Sequence, residues 1–264
     1  MKYIKIKGNI LLKKLAISTM LGLFISSATA DMNNKGNTMN SLPTHEQVKE
    51  SLKKIVAQKN GGFSLNMWAT VVNRDGEVTS VSFSGDNRGD QWPGSRVISA
   101  QKANTANAFS LPTLALSTAN LFTATQNGGS LFGLQHSNPV DTSVAYGGAN
   151  DTIGTASDFM VGRKIGGVNV FGGGLALYSK DGTLLGALGV SGDSSCADHN
   201  IAWKLRSALK LDFVPAGISP EGNDNIVNDI TNSVSESGWG HPICTEESAN
   251  IAKDFSNTHP ISKK

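Results

Sequence analysis

The chain has 264 residues, 39% of them hydrophobic and 17% charged, with 29 glycines and a formal net charge of +2. This is globular composition, enough for one large domain or two small ones, with many loops and tight turns. No block of basic residues lies beyond residue 30, which argues against nucleic-acid binding by simple electrostatics.

Residues 1–30 read as a secretory signal. A basic start, "MKYIKIKGNILLKK", leads into an apolar run, "LAISTMLGLFIS", too short to span a bilayer comfortably, and Ala28-Thr29-Ala30 is a small-x-small cleavage pattern. Cleavage after Ala30 removes five lysines and no acids, taking the formal charge from +2 to −3. The product would be periplasmic or secreted, with no integral membrane segment. That compartment sets the reading of Cys196 and Cys244, the only two cysteines. In an oxidising space the default is a disulfide, here closing a loop of about 48 residues and worth ~4 kcal/mol if unstrained.

Residues 31–42 form a polar, Asn-rich lead expected to be disordered. Thr44 and Gln47 make a capping box for a helix whose apolar residues are Val48, Leu52, Ile55 and Val56, with Gly61-Gly62 as its stop. Two hairpins are signalled by Asp75-Gly76 and Asp181-Gly182. Each ends in Ser-Gly-Asp, at 84–86 and 191–193, and each precedes a helix. The first of these helices is "SRVISAQKANTANAFS", capped by Ser95, and "TLALSTANLFTATQ" after Pro112 reads as another. Residues 127–169 form a long Gly-rich loop insertion, with Leu131, Phe132 and Leu134 as its possible anchor in the core. A helix then runs from Ser195 to about Lys210, with Ala197, Ile201, Leu205 and Ala208 as its buried stripe. Ser195 and Asp198 stand at Ncap and N3 spacing, and Asp193 and Asp198 complement the helix N-terminus. Residues 212–264 read as a C-terminal extension packed on the domain and pinned by Cys244. The fold class is α+β: an antiparallel sheet with flanking helices.

The stretch "VSGDSSCADHN" at 190–200 concentrates the chemistry. It is not a nucleophile elbow, because Gly189-Val190-Ser191-Gly192-Asp193 misplaces the second glycine. No Gly-rich run ends in the Gly-Lys-[Ser/Thr] of a phosphate loop. Cys196-x-x-His199 and His241-x-x-Cys244 suit zinc by type, but a sulfur cannot serve both a disulfide and a metal, and export favours the disulfide. His199, Trp203 and Arg206 follow i, i+4, i+7 spacing. They offer an axial nitrogen for a metal, a stacking surface and a carboxylate partner, the set a flat anionic ligand such as haem would use. The plainer alternative, preferred on the residues alone, packs Trp203 under the extension and leaves His199 and Arg206 in water. Arg96 and Lys102 are reasonable anion partners, the alternative being a solvated helix face. His136, in the long loop, could close over a ligand.

One further signal is a resemblance. "GGGLALYSKDGTLLGALGVSGDSSCADHNIAWKLRSAL" resembles the signature of the GlcG/HbpS haem-binding-protein-like family, with Gly186–Gly192 matching its Gly-Val-Ser-Gly turn and Asp198 its later aspartate. Upstream, Lys102-Ala103 and Thr105-Ala106 match the family's Lys-Ala-x-Thr-Ala helix. The resemblance implies a profilin-like single domain over residues 43–211, usually a homo-oligomer, that binds haem or a related small molecule. The leading expectation is an exported, non-catalytic haem- or tetrapyrrole-binding protein. The alternatives are an enzyme or accessory factor for a small hydroxy acid or diol, and a zinc-stabilised assembly module. The chain departs from the family in its Gly-rich insertion, in "DQWPGS" before the second helix, and in the Cys-bearing extension.

Overall fold

The computed structural model describes residues 41–263. The expected signal at 1–30 and all but the end of the polar lead lie outside the described residues. Among the described residues no helix is long and apolar enough to cross a membrane.

Helix α1 (His45–Val56) starts at the expected capping box, with Gln47 N donating to Thr44 Oγ1 and Thr44 N to Gln47 Oε1. It stops before Gly61-Gly62, because the Asn60 side-chain amide turns back onto the carbonyls of Ile55 and Gln58. Strands β1 (Trp68–Asn73) and β2 (Val78–Phe83) form the first hairpin, and Gly76 takes the positive φ of +74° that its turn requires. Helix α2 (Ser95–Phe109) includes Ser95 as its first residue and not as its cap. The Trp92-Pro93-Gly94 turn starts the helix, with Ser95 N bonded to Trp92 O and Gly94 at the Ncap position.

The helix expected after Pro112 is replaced by a 3₁₀ turn at Thr118–Leu121 and the single turn α3 (Phe122–Thr125). Polar side chains compete for the backbone here. Ser110 Oγ exchanges hydrogen bonds with both backbone groups of Leu116, and Ser117 with Asn120 closes a local box. The short helix α4 (Thr142–Ala145) interrupts the long loop. The second hairpin is β3 (Gly174–Tyr178) and β4 (Leu184–Ser191), followed by α5 (Ser195–Ala208). Beyond it come the two-residue strands β5 (Ile230–Thr231) and β6 (Val234–Ser235), helix α6 (Glu246–Lys253) and the turn α7 (Phe255–Thr258).

The main sheet has the order β2-β1-β4-β3, antiparallel throughout, so the two hairpins lie side by side with β1 and β4 at the centre. This is the expected α+β class. On one face Ala69, Val71, Leu175, Leu188 and Val190 pack beneath α1 and α5. On the other, Trp68, Val72, Val81 and Ala187 meet Val97, Ala100, Ala103 and Ala106 of α2. Gly189 lets α2 approach the strands, since a Cβ there would stand 1.9 Å from Ser99 O.

The long loop closes over the α2 side. Ala145, Met160 and Ile165 are its buried anchors, whereas Leu131 and Leu134 are half-buried and Phe132 is 61% exposed. Helix α5 carries more than the expected stripe. Cys196 through Arg206 are all buried, while Ala208 is exposed at the helix end.

Candidate functional site

The N-terminus of α5 is built one residue away from its sequence reading. Ser194 caps it, accepting from Ala197 N. Asp198 is thereby released to bond Lys102 Nζ at 2.6 Å and Asp193 N at 2.9 Å. Lys102 reaches from α2, also donates to Val190 O, and is as buried as its partner. It is neither a solvated charge nor free to meet an external anion. Burial pushes the Asp198 carboxyl up to about 6 despite the neighbouring ammonium, and burial also lowers the Lys102 ammonium. Asp193 holds the 63–65 segment, accepting from Phe63 N and Leu65 N.

His199, Trp203 and Arg206 do share one face, and residues 212–264 cover it. His199 is closed to solvent, with Nε2 lying 3.1 Å from both Asn225 Oδ1 and Ile226 N, and Nδ1 without a partner among the described residues. Trp203 Nε1 donates to His259 O, and its ring stacks on Phe255 at 5.3 Å. Arg206 makes a two-pronged pair with Asp224 at 2.6 and 2.8 Å, donates to Ala176 O, and lies over the Trp203 ring. The expectation that His199 and Arg206 face water is corrected: both are sealed in an internal seam. The extension is fastened there by the Cys196–Cys244 disulfide. With both sulfurs bonded to each other, the mirrored Cys/His set does not assemble around a metal, and among the described residues no group of three or more His, Cys, Asp or Glu is placed to hold one.

The seam makes stability depend on acid. Burial drops His199 and His241 to about 4, against about 6.5 in an unfolded chain. As the pH falls from ~6.5 to ~4 the unfolded chain takes up protons that these imidazoles refuse, so stability is lost over that window. Asp198 acts oppositely between ~6 and ~3.8, where the folded chain binds the proton first, but it is one group against His199, His241 and His259, whose imidazole burial also lowers. The urea midpoint should therefore drop between about pH 7 and 4.5, and His199→Gln should flatten that drop. A midpoint indifferent to pH in the wild type would contradict this electrostatic picture.

The structure places its main apolar hollow elsewhere. A cavity of about 480 Å³ lies between the N-terminus of α2, the turn at 87–89 and loop residues 146–153. Trp68, Pro93, Val97, Tyr146 and Ile153 supply apolar wall, and Arg88 and Arg96 also line it. The volume falls in the range of small-molecule sites, about 300–1,000 Å³. Trp68 rests on Phe83 with ring centroids 4.6 Å apart, and its buried Nε1–H has no acceptor among the described residues. Arg96 is committed to the Asp158 carboxylate through Nε and Nη2 and to Ala145 O through Nη1. Asp158 also accepts from the backbone of Gly154 and Met160, so this buried pair clamps the long loop onto α2. Arg88 is exposed and makes no hydrogen bond or ion pair among the described residues. A second hollow of about 390 Å³ adjoins the first, sharing Asn87, Arg88, Asn150 and Ile153.

Of the residues singled out in the sequence, Arg96 alone lines the larger cavity. His136 is exposed and belongs to neither hollow. Trp68, Arg88, Tyr146 and Ile153 were not anticipated. The available signals were the "DQWPGS" departure and the Gly147-Gly148 pair after an aromatic residue, and both lie far in sequence from Trp68.

A family model described as haem degrading protein HbpS-like matches residues 44–206, more than half of the chain. The chain belongs to the HbpS-like family. No curated protein matches it. Among solved structures, a PduOC:heme complex is 24% identical, over 64% of this chain and 94% of that one, with a TM-score of 0.44. The Klebsiella pneumoniae protein ORFY, of family DUF336, is 22% identical over 67% and 95%, with a TM-score of 0.43. The HbpS-like match ends at Arg206, while Asp224, Asn225, Ile226, Cys244, Phe255 and His259 all lie beyond it. The sealing of His199 is thus the work of sequence outside the family match.

Proposed function

We propose that this chain is an exported, non-catalytic protein that binds haem or a related tetrapyrrole, and that it does so in the cavity between the N-terminus of α2 and the long loop. The observation that carries the reading is that cavity, about 480 Å³ with mainly apolar walls and an unpaired arginine. Its residues fit the group. A flat macrocycle requires an apolar slot, which Trp68, Pro93, Val97 and Ile153 offer. Its carboxylates require a cation, and the Arg88 guanidinium is uncommitted. The partnerless Trp68 Nε1–H is a buried donor that a bound acceptor would satisfy. Membership of the HbpS-like family supports the choice of ligand. Haem, when bound, would supply a redox-active iron. The chain's own part is to bind and orient: the Arg96–Asp158 clamp fixes one wall, and Trp68 stacked on Phe83 forms another. The signal-like segment at 1–30 and the Cys196–Cys244 disulfide support export.

The test is an absorbance titration of iron(III) protoporphyrin into the purified chain. A Soret shift that saturates in the micromolar range near one porphyrin per chain is expected. Arg88→Glu should weaken binding about tenfold through loss of a charge-assisted contact. Absence of any saturable change in the wild type would sink the reading.

A further inference from the structure

We infer that Tyr146 is the side chain by which the cavity would ligate the iron of a bound porphyrin. This rests on the tetrapyrrole reading above and assigns the residue it leaves open. Protein ligands to haem iron are His, Cys, Met or Tyr. Among the described residues, those lining the cavity include no His, Cys or Met, and they include one tyrosine, Tyr146.

Its setting differs from that of a packing tyrosine. The residue is 69% exposed, and its phenol makes no hydrogen bond among the described residues. Tyr178 is the contrast: it is buried, and its hydroxyl donates to Leu111 O. The backbone that carries Tyr146 is nonetheless held firmly. It ends α4, with Tyr146 N bonded to Thr142 O. The preceding Ala145 is buried, and its carbonyl accepts from Arg96 Nη1 at 2.7 Å. The following Gly147 and Gly148 press against Phe159, so closely that a Cβ on either would come within 2.4 Å of that side chain. A held backbone thus places at the wall of the cavity a phenol that no other group of the described residues engages, and that leaves its oxygen available to a bound metal. Ligation would form one Fe–Oη bond in place of the bond to an iron-bound water, which leaves to solvent with the phenol proton, and would not change the iron oxidation state.

Iron(III) protoporphyrin and metal-free protoporphyrin, each titrated into wild type and Tyr146→Phe, separate the possibilities. The wild-type iron complex should show a phenolate-to-iron charge-transfer band and a high-spin ferric signal in electron paramagnetic resonance. Tyr146→Phe should lose the charge-transfer band, though not the high-spin signal that a water-ligated ferric porphyrin also gives, and bind the iron porphyrin at least about tenfold more weakly, while its affinity for the metal-free porphyrin stays within about twofold. Tyr146→His should restore iron binding with an imidazole-type spectrum. If both porphyrins bind wild type and Tyr146→Phe alike, the assignment of Tyr146 is overturned and the cavity stands. If neither porphyrin binds wild type, the cavity reading itself has failed and the ligand assignment falls with it. Because the residue is exposed, Tyr146→Phe should leave the thermal midpoint unchanged, which keeps a binding loss distinct from unfolding.

Discussion

Asp224→Ala should lower the free energy of unfolding by about 3–5 kcal/mol, enough to threaten the native state of a chain this size. Arg206 and Asp224 are 1% and 0% exposed at their side chains. Removing the carboxylate leaves a guanidinium inside the protein with only Ala176 O and the Trp203 ring for company. The cost comes from that stranded charge and not from the pair's own worth, since desolvating two ions offsets much of their attraction. A double replacement, Arg206→Met with Asp224→Leu, should therefore be far milder than Asp224→Ala alone. Urea unfolding of the three variants at neutral pH measures this. A loss below about 1 kcal/mol for Asp224→Ala would mean that the seam is not closed as described.

The disulfide should contribute nearly as much. Cys196 and Cys244 are 48 residues apart, and closing such a loop restricts the unfolded chain by about 4 kcal/mol in the chain-entropy account. The double replacement Cys196→Ala, Cys244→Ala should lose most of that. It should also leave residues 212–264 more open to limited proteolysis, because the crosslink is their covalent tie to α5. The other ties, Trp203 to His259 and Phe255, and Asn200 to Ser248 O, remain in place. The extension should thus loosen and not detach. Equal stability of the crosslinked and uncrosslinked proteins would contradict this account.

These two effects show where the sequence was readable. The Thr44/Gln47 box, the Asp-Gly turns and the Cys pairing are local or compartmental signals, and each element they announce is present. Helix starts were readable only to within a residue, because at Ser194-Ser195 two adjacent serines offer the same chemistry and backbone geometry selects one. The segment after Pro112 has helix-like apolar spacing, but its serines, threonines and asparagines take backbone hydrogen bonds for themselves. His199, Trp203 and Arg206 were grouped correctly on one face. What lay opposite them was set by Asp224, Asn225 and Phe255, in a Gly-, Pro- and Asn-rich stretch without periodicity. The cavity was hidden for a related reason. Its walls come from a central strand, a turn, a helix start and a long loop, and no window of sequence holds more than a part of it.

The central claim is that a porphyrin occupies the cavity at the start of α2 and not the sealed face of α5. Gly94 tests it most directly. It lines the cavity, has an ordinary φ of −63°, and a Cβ there meets nothing within 4 Å. Gly94→Phe should set a ring at the cavity wall and crowd a bound macrocycle, while costing the fold about 1 kcal/mol or less at the helix cap. Measured by porphyrin absorbance titration, its affinity should fall at least about tenfold, with the unfolding transition largely preserved. Wild-type affinity in a folded Gly94→Phe would contradict the claim and place the ligand elsewhere on the chain.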